Sequence, residues 1–158
     1  MADCIFCDIV AGKIPASKVY EDEFALAFMD LSQPERGAGH ILVIPKAHVE
    51  DIHAIPEVTL GWVHAVAARM AGAVKQALNP DGVLIWQSTG RAAGQVVPHF
   101  HVHVMAQWDG DGYELFGGKF PPEADAEKIK EAARKIARHV LAPPHHHMET
   151  EGIRPRDN

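Results

Sequence analysis

The stretch "VPHFHVHVMAQ", residues 97–107, sets three histidines two apart, His99, His101 and His103, with Phe100, Val102 and Val104 between and after them. A β-strand sends successive side chains to opposite faces, so this spacing predicts a strand with imidazoles on one face and an apolar core face on the other. With 11 histidines in 158 residues, chance would produce such a pattern roughly 0.05 times per chain, which makes accident a poor explanation.

Working outward, the segment before the histidines reads as a strand, "GVLIW" (82–86), joined by the glycine-containing loop "QSTGRAAGQ" (87–95). The two strands are expected to pair through that loop. Further upstream, Val58, Trp62, Val66, Met70, Val74 and Leu78 recur at steps of four, supported by Ala65, Ala73 and Ala77, and the pattern stops at "NPDG". This is the main amphipathic helix. "HILVIP" (40–45) is β-branched and bounded by Gly39 and Pro45, as a buried strand would be. "KVYEDEFALAFM" (18–29) reads as a hairpin turning at Glu21, Asp22 and Glu23. Downstream, residues 123–140 carry Ile129, Ala132, Ala133, Ile136 and Val140 on one stripe of a second helix. The proline-rich, polar "APPHHHMETEGIRPRDN" that closes the chain is expected to be a flexible tail, so the division is one domain over 1–141 and a tail over 142–158. His145, His146 and His147 are read as part of that solvated tail.

A length of 158 residues with 47% hydrophobic composition fits one domain with a real core. A net charge of -6 without a Lys/Arg cluster argues against nucleic acid and against an anionic membrane as partners. The stretch "MADCIFCDIV" lacks a basic region followed by an apolar stretch, and no apolar run approaches the roughly 18 residues that span a bilayer. A cytoplasmic protein is expected. Its two cysteines, Cys4 and Cys7, form no disulfide framework.

The histidine pattern admits three readings. A cluster of merely structural imidazoles would be desolvated or would repel on protonation. Ligation of a catalytic metal is chemically reasonable, since two histidines at i and i+2 can converge on one ion. In the third reading one histidine is a nucleophile and another its proton partner, which suits a side chain with an ordinary pKa of ~6.5. The loop favours the third, because Gly90 and Gly94 permit backbone amides to approach an anion, with Arg91 nearby. The C-x-x-C pair likewise has three readings: a redox pair, half of a zinc site, or incidental thiols. The redox reading lacks its βαβ context, and His48 plus one triad histidine could complete a four-ligand zinc set.

The segment "HFHVHVMAQ", together with "GRAAGQVVPHFHVHV", resembles the signature of the histidine triad (HIT) nucleotide hydrolases and transferases, most like the bacterial Hint-like branch with a C-x-x-C motif. The resemblance extends through "CIFCDIVAGKIPASKVYEDEFALAFMD" and "GHILVIPKAHVEDI", from residue 4 to about 105. It implies an α+β fold with a five-stranded antiparallel sheet, a main helix and a C-terminal helix, and a homodimer in which two sheets join. It implies an enzyme that cleaves at the α-phosphate of a purine nucleoside 5'-monophosphate derivative through a nucleotidyl-histidine intermediate. A phosphoramidate is the favoured substrate. A dinucleoside polyphosphate, or nucleotide binding with little turnover, is the alternative.

Carried over residue by residue, the resemblance makes His101 the nucleophile and His103 the group that contacts the scissile phosphate and assists the leaving group. Asp30 would bind the ribose hydroxyls, and Ile9, Ile14, Phe28 and Leu31 would line the base slot. Gly94, Gln95 and Val96 would face the phosphate; Val96 has no side-chain donor, so its backbone N–H or Ser88 would supply that contact. Cys4, Cys7, His48 and His99 match the ligands of a structural zinc in relatives that keep the cysteine pair.

Overall fold

The computed structural model describes residues 4–113 and 120–140. The elements run α1 (Ile5–Val10), β1 (Lys18–Glu21), β2 (Ala25–Met29), β3 (His40–Pro45), α2 (Glu57–Leu78), β4 (Gly82–Trp86), β5 (Val102–Gln107) and α3 (Ala126–Ala137), with a 3-10 turn at Arg91–Ala93. The five strands form one sheet in the order β1-β2-β3-β5-β4, and every neighbouring pair is antiparallel. This is the expected α+β architecture. Hairpins explain the β1–β2 and β4–β5 neighbours, while the 22-residue α2 carries the chain across the sheet from β3 to β4.

Strand alternation divides the apolar residues into two layers. Ala27, Met29, Ile41, Val43, Val102 and Val104 face the helices and pack with Val63, Val66, Met70 and Val74 of α2 and with Ile129, Ala133 and Ile136 of α3. Leu26, Phe28, Leu42 and Ile44 face the other side, where the short α1 covers them through Phe6 and Ile9, with Ile14, Ala16 and Val97 beside it among the described residues. The functional side chains lie on this thinly covered face. Gly39 sets the approach of β3, because a Cβ there would stand 2.7 Å from Leu78 Cδ1 and 2.8 Å from Ala106 Cβ, distances no packed core tolerates.

Three local expectations are corrected, and one element is added to them. The step-of-four line along α2 holds at Val66, Met70 and Val74, but Val58 is 82% exposed and Ala65 is exposed as well. Each step of four advances about 40° beyond a full turn, so such a line winds off the buried face; the expected Ala73 and Ala77 are buried, and Val63 and Ala67 complete the real stripe. α3 begins at Ala126, not 123, because Glu123 bridges to Ser32 and the Asp125 side chain accepts from Glu127 N and Lys128 N as an N-cap. Val140 packs against the core from beyond the helix end. The histidine strand starts only at Val102, since His99 N bonds back to Val97 O and Phe100 N to Val49 O rather than to a neighbouring strand. The alternation nevertheless extends upstream, with Phe100 buried in the helix-side core. Finally, α1 was not foreseen; "IFCDIV" is too short to be stable alone and is held by its two buried anchors. The expected tail, 142–158, lies outside the described residues.

Candidate active site and metal centre

Two groups of side chains converge on the thinly covered face. The first consists of Cys4, Cys7, His48 and His99, whose ligand atoms all lie within 4.8 Å of one another. Cys4 is the residue before α1 and Cys7 sits in its first turn, so one short helix delivers both sulfurs. His99 Nδ1 stands 3.5 Å from Cys4 Sγ and 3.7 Å from Cys7 Sγ, and His48 Nδ1 stands 3.3 Å from Cys7 Sγ. A tetrahedral ion with sulfur ligands near ~2.3 Å and nitrogen ligands near ~2.05 Å has ligand–ligand edges of about 3.3–3.8 Å. The four residues therefore fit a metal ion with two sulfurs and two nitrogens. His99 Nε2 donates to the Pro45 carbonyl at 2.9 Å, which leaves Nδ1 as the ring's lone-pair nitrogen toward the cysteines. Burial and the adjacent Cys4 thiol raise the Cys7 pKa, a tendency a bound cation would reverse.

The second group is built on β3, β4 and β5. His101 precedes β5, and its Nδ1–H donates 2.7 Å to the His99 carbonyl. A carbonyl only accepts, so the neutral ring keeps its lone pair on Nε2. The edge of Phe6 packs on this ring at a centroid distance of 5.4 Å, and the His103 ring is 4.9 Å away at 67°. Burial lowers the His101 pKa, partly offset by the bond to His99.

His103 lies within β5, in register with Leu42 of β3 and Trp86 of β4. Its Nδ1 is 3.0 Å from His40 Nε2, and His40 Nδ1 is 2.8 Å from the Ser32 carbonyl. The carbonyl fixes the order: His40 Nδ1–H donates to Ser32 O, so His40 Nε2 must accept from His103 Nδ1–H. The ring's Nε2 is thus its lone-pair nitrogen as well. Burial, then the neighbouring His40 and His101, push the His103 pKa down to about 2. His40 is wholly buried; burial lowers its pKa against the opposing pull of the Asp30 carboxylate, 3.8 Å from its Nδ1.

Asp30 follows β2. Its Oδ1 accepts from Ser32 N at 2.7 Å, the loop-capping role open to an aspartate at a strand end, while Oδ2 accepts no hydrogen bond among the described residues. Gln33 locks the same turn by donating to the carbonyls of Asp30 and His40 and accepting from His40 N.

The loop residues divide. Gly90 and Gly94 have φ of +78° and +90°, the left-handed region that glycine favours. Gln95 pins the loop, accepting from Gly90 N and donating to the carbonyls of Glu50 and Val97. Its side chain is thereby committed to structure. Val96 is 89% exposed, and Ser88 is half-buried where the chain leaves β4. A cleft of about 450 Å³ over this loop is lined by Glu50, Arg91, Gln95, Val96 and Pro98 together with Gly90 and Gly94. Of the expected base-slot residues, Ile9 and Phe28 are buried with Phe6 and Leu42, and Ile14 is half-buried beside them; Leu31 is 67% exposed.

The three triad histidines do not converge on one point. His99 belongs to the cysteine group, and the other convergent group of metal-ligand types among the described residues is Asp30, His40 and His103. The geometry thus gives no support to a single catalytic metal held by the whole triad. His40 and Trp86 were missed as site residues. The signal for His40 was a histidine heading an otherwise apolar strand, which a buried polar group enters only with a partner; Trp86 carried no signal beyond its place at the end of the strand "GVLIW".

The comparisons agree with this architecture. Residues 11–110 match the HIT domain family model. The protein hit of Bacillus subtilis is 39% identical over 145 residues, covering 89% of this chain and 96% of that protein. Among solved structures, a zinc-bound histidine triad family protein from Mycobacterium smegmatis superposes with a TM-score of 0.74 at 36% identity, covering 87% of this chain and 93% of that one. A hypothetical histidine triad nucleotide-binding protein from Sulfolobus tokodaii superposes with a TM-score of 0.76 at 33% identity, covering 87% and 91%. An antiparallel five-stranded sheet with paired histidines on its thinly covered face defines the class, and the chain belongs to the HIT domain family. No helix among the described residues is long and apolar enough to cross a membrane.

Proposed function

We propose that this protein is a nucleotidyl hydrolase or transferase that cleaves at the α-phosphate of a purine nucleoside 5'-monophosphate derivative, with a phosphoramidate as the favoured substrate. The observation that carries the reading is the hydrogen bond of His101: its Nδ1–H is committed to the His99 carbonyl, so Nε2 holds a lone pair, and burial lowers the ring's pKa, which favours the neutral form. A neutral imidazole fixed in this way is a competent nucleophile at phosphorus.

In the first step His101 Nε2 attacks the α-phosphorus, the P–N bond to the leaving amine breaks, and its electron pair goes to nitrogen with a proton from His103 Nε2. In the second, water attacks phosphorus, His103 Nε2 takes a proton from it, and the bond to His101 breaks to release the nucleoside monophosphate. Burial and the neighbouring His40 and His101 disfavour protonation of the unliganded His103. Its acid form therefore depends on the phosphate's negative charge, which favours the protonated ring once bound. In this reading Asp30 Oδ2 would accept from a ribose hydroxyl, and Ile9, Ile14, Phe28 and Leu31 would bound the base. The backbone N–H of Val96, with Ser88 nearby, would take the phosphate oxygens, with Gly94 and Gln95 shaping the loop around them, since their own amides are given to the Arg91 and Gly90 carbonyls.

In this reading the ion held by Cys4, Cys7, His48 and His99 is a structural zinc that, when bound, ties α1 to the segment carrying His101. The donor set and the His99 bond to Pro45 support it. A homodimer is part of the proposal, supported by β4, an unpaired sheet edge whose Ile85 is exposed and whose Leu84 and Trp86 are half-buried. The deciding experiment compares turnover of an adenosine 5'-phosphoramidate and a diadenosine polyphosphate by the purified protein. Faster release of AMP from the phosphoramidate is expected. Preference for the dinucleotide would move the activity within the family, and binding without turnover of either would reduce the protein to a binding module.

A further inference from the structure

We propose that Trp86 is a positioning residue for His103: its indole face holds the His103 ring in orientation for proton transfer at Nε2 and supports the positive charge that ring carries when protonated. The inference rests on the nucleotidyl-transfer reading above. Trp86 is the last residue of β4 and is the cross-strand partner of His103, so both side chains leave the sheet on the same face. Their rings are 4.2 Å apart between centroids and 2° from parallel. Surfaces stacked at an ordinary spacing of roughly 3.5 Å would then be displaced laterally by about 2 Å, the offset geometry that aromatic pairs prefer.

The ring is held from several sides. The hydrogen bond from Nδ1 to His40 Nε2, 3.0 Å long, sets the direction of one edge, and the His40 and His101 rings flank it at 5.2 Å and 4.9 Å. The near-parallel indole plane is the closest of these rings and sets the tilt of the imidazole. Nε2 makes no hydrogen bond to any described residue and is left for a ligand. Trp86 is itself held, at 5.4 Å and 25° from His40 and edge-on to Phe120 at 6.5 Å.

The charge on a protonated His103 has few supports. The titratable groups that face it are His40 from β3 and His101 from its own segment, and both disfavour its protonation. Asp30, from the turn after β2, stands behind His40 at 3.8 Å from that ring's far nitrogen. From β4 the facing side chain is Trp86, which is uncharged but presents the negative face of an indole, an environment that favours a cation. When His103 gives its proton to the leaving nitrogen the indole loses nothing and gains no bond; it acts only on the stability and orientation of the acid form.

The test uses the full-length protein with Trp86→Leu, which keeps apolar bulk without a π face, and Trp86→Phe, which keeps a π face. Each is assayed on an adenosine 5'-phosphoramidate of an alkylamine, whose leaving group must be protonated, and on the 5'-p-nitrophenyl ester of AMP, whose leaving group departs as an anion. The expected result is that Trp86→Leu lowers the ratio of amide to ester turnover about tenfold, moves the alkaline limb of the amide kcat profile to lower pH by about one unit, and that Trp86→Phe restores most of both. Equal losses on the two substrates, or an unchanged ratio and profile, would reduce Trp86 to packing. A second measurement does not need turnover: the ring 15N signals of His103, titrated with AMP bound, should show a protonation midpoint about one unit lower in Trp86→Leu. An unmoved midpoint overturns the inference, whereas a wild-type protein inactive on both substrates with a shifted midpoint overturns only the nucleotidyl-transfer reading.

Discussion

Removing the metal-binding group should loosen α1 without unfolding the domain, and the structure sets the size of the effect. α1 has six residues, fewer than an isolated helix needs. It is anchored by Phe6 and Ile9, buried against Leu26, Phe28, Leu42 and Ile44; two such side chains contribute about 3–6 kcal/mol by burial. That suffices to keep the helix docked when Cys4→Ser or a chelator breaks the cluster. The lost contribution is the linkage term, which for an ion present at about a thousandfold over its Kd is ~4 kcal/mol. For a chain of 158 residues, each kcal/mol moves Tm by about 2–4 °C, so the expected drop is about 8–16 °C. The assay is thermal unfolding with and without chelator, alongside metal content per chain and hydrogen exchange over residues 4–10. Exchange should accelerate there and remain slow in α2. A metal-free protein with Tm within about 2 °C of the loaded one, or a chelated protein unfolded at room temperature, would refute the reasoning.

Asp30→Ala should weaken ribonucleotide binding about tenfold while leaving 2',3'-dideoxy analogues unaffected, as read by calorimetry; equal losses would show that the contact is not to the sugar. His103→Ala should retain adduct formation with leaving groups that depart as anions and fail with alkylamines, and rates falling equally on both would remove its acid role. Asp22 accepts from the Tyr20 hydroxyl, Trp62 Nε1, Phe24 N and Ala25 N, so Asp22→Ala should cost about 3 kcal/mol in urea unfolding at pH 7. Burial alone would raise its pKa, but those bonds outweigh it and hold the carboxyl below its ordinary value. Its contribution is therefore complete above the unfolded pKa of ~3.9 and is lost as pH falls through the lower folded value; a variant whose deficit does not shrink in that acid window would contradict the assignment.

What could be read from the sequence follows the physics of each element. β3 carries a β-branched run bounded by Gly39 and Pro45, β5 carries an alternation that continues upstream past its first residue and so hides where the strand begins, and α2 carries enough apolar residues that its existence survives an imperfect choice of face. α1 was invisible because Ile5–Val10 owes its helicity to partners distant in the chain, Leu26 through Ile44, and not to its own propensities. The same holds for the site. His101 and His103 announce themselves by spacing, and Cys4 with Cys7 by theirs. The hydrogen bond that joins His40 to His103 spans 63 positions, and the stack that joins Trp86 to His103 exists only because β4 pairs with β5 in one register. A single histidine at the head of an apolar strand has no local pattern that names its partner. Asp30 shows the opposite case, where the cap and the open Oδ2 coexist, so the structural role and the proposed ligand role need not compete.

In the proposed reaction the atom that takes up the nucleotide is Nε2 of His101. An adenosine 5'-phosphoramidate labelled in its α-phosphate, mixed with the wild-type protein, quenched within a turnover at neutral or alkaline pH and digested, should yield a labelled peptide with AMP on the ring of His101. The adduct should decay at the turnover rate if its hydrolysis is the slow step, and it should be absent from His101→Gly, whose kcat is expected to fall by several orders of magnitude. Label on His103, or sustained turnover with no adduct and inverted configuration at phosphorus, would contradict it.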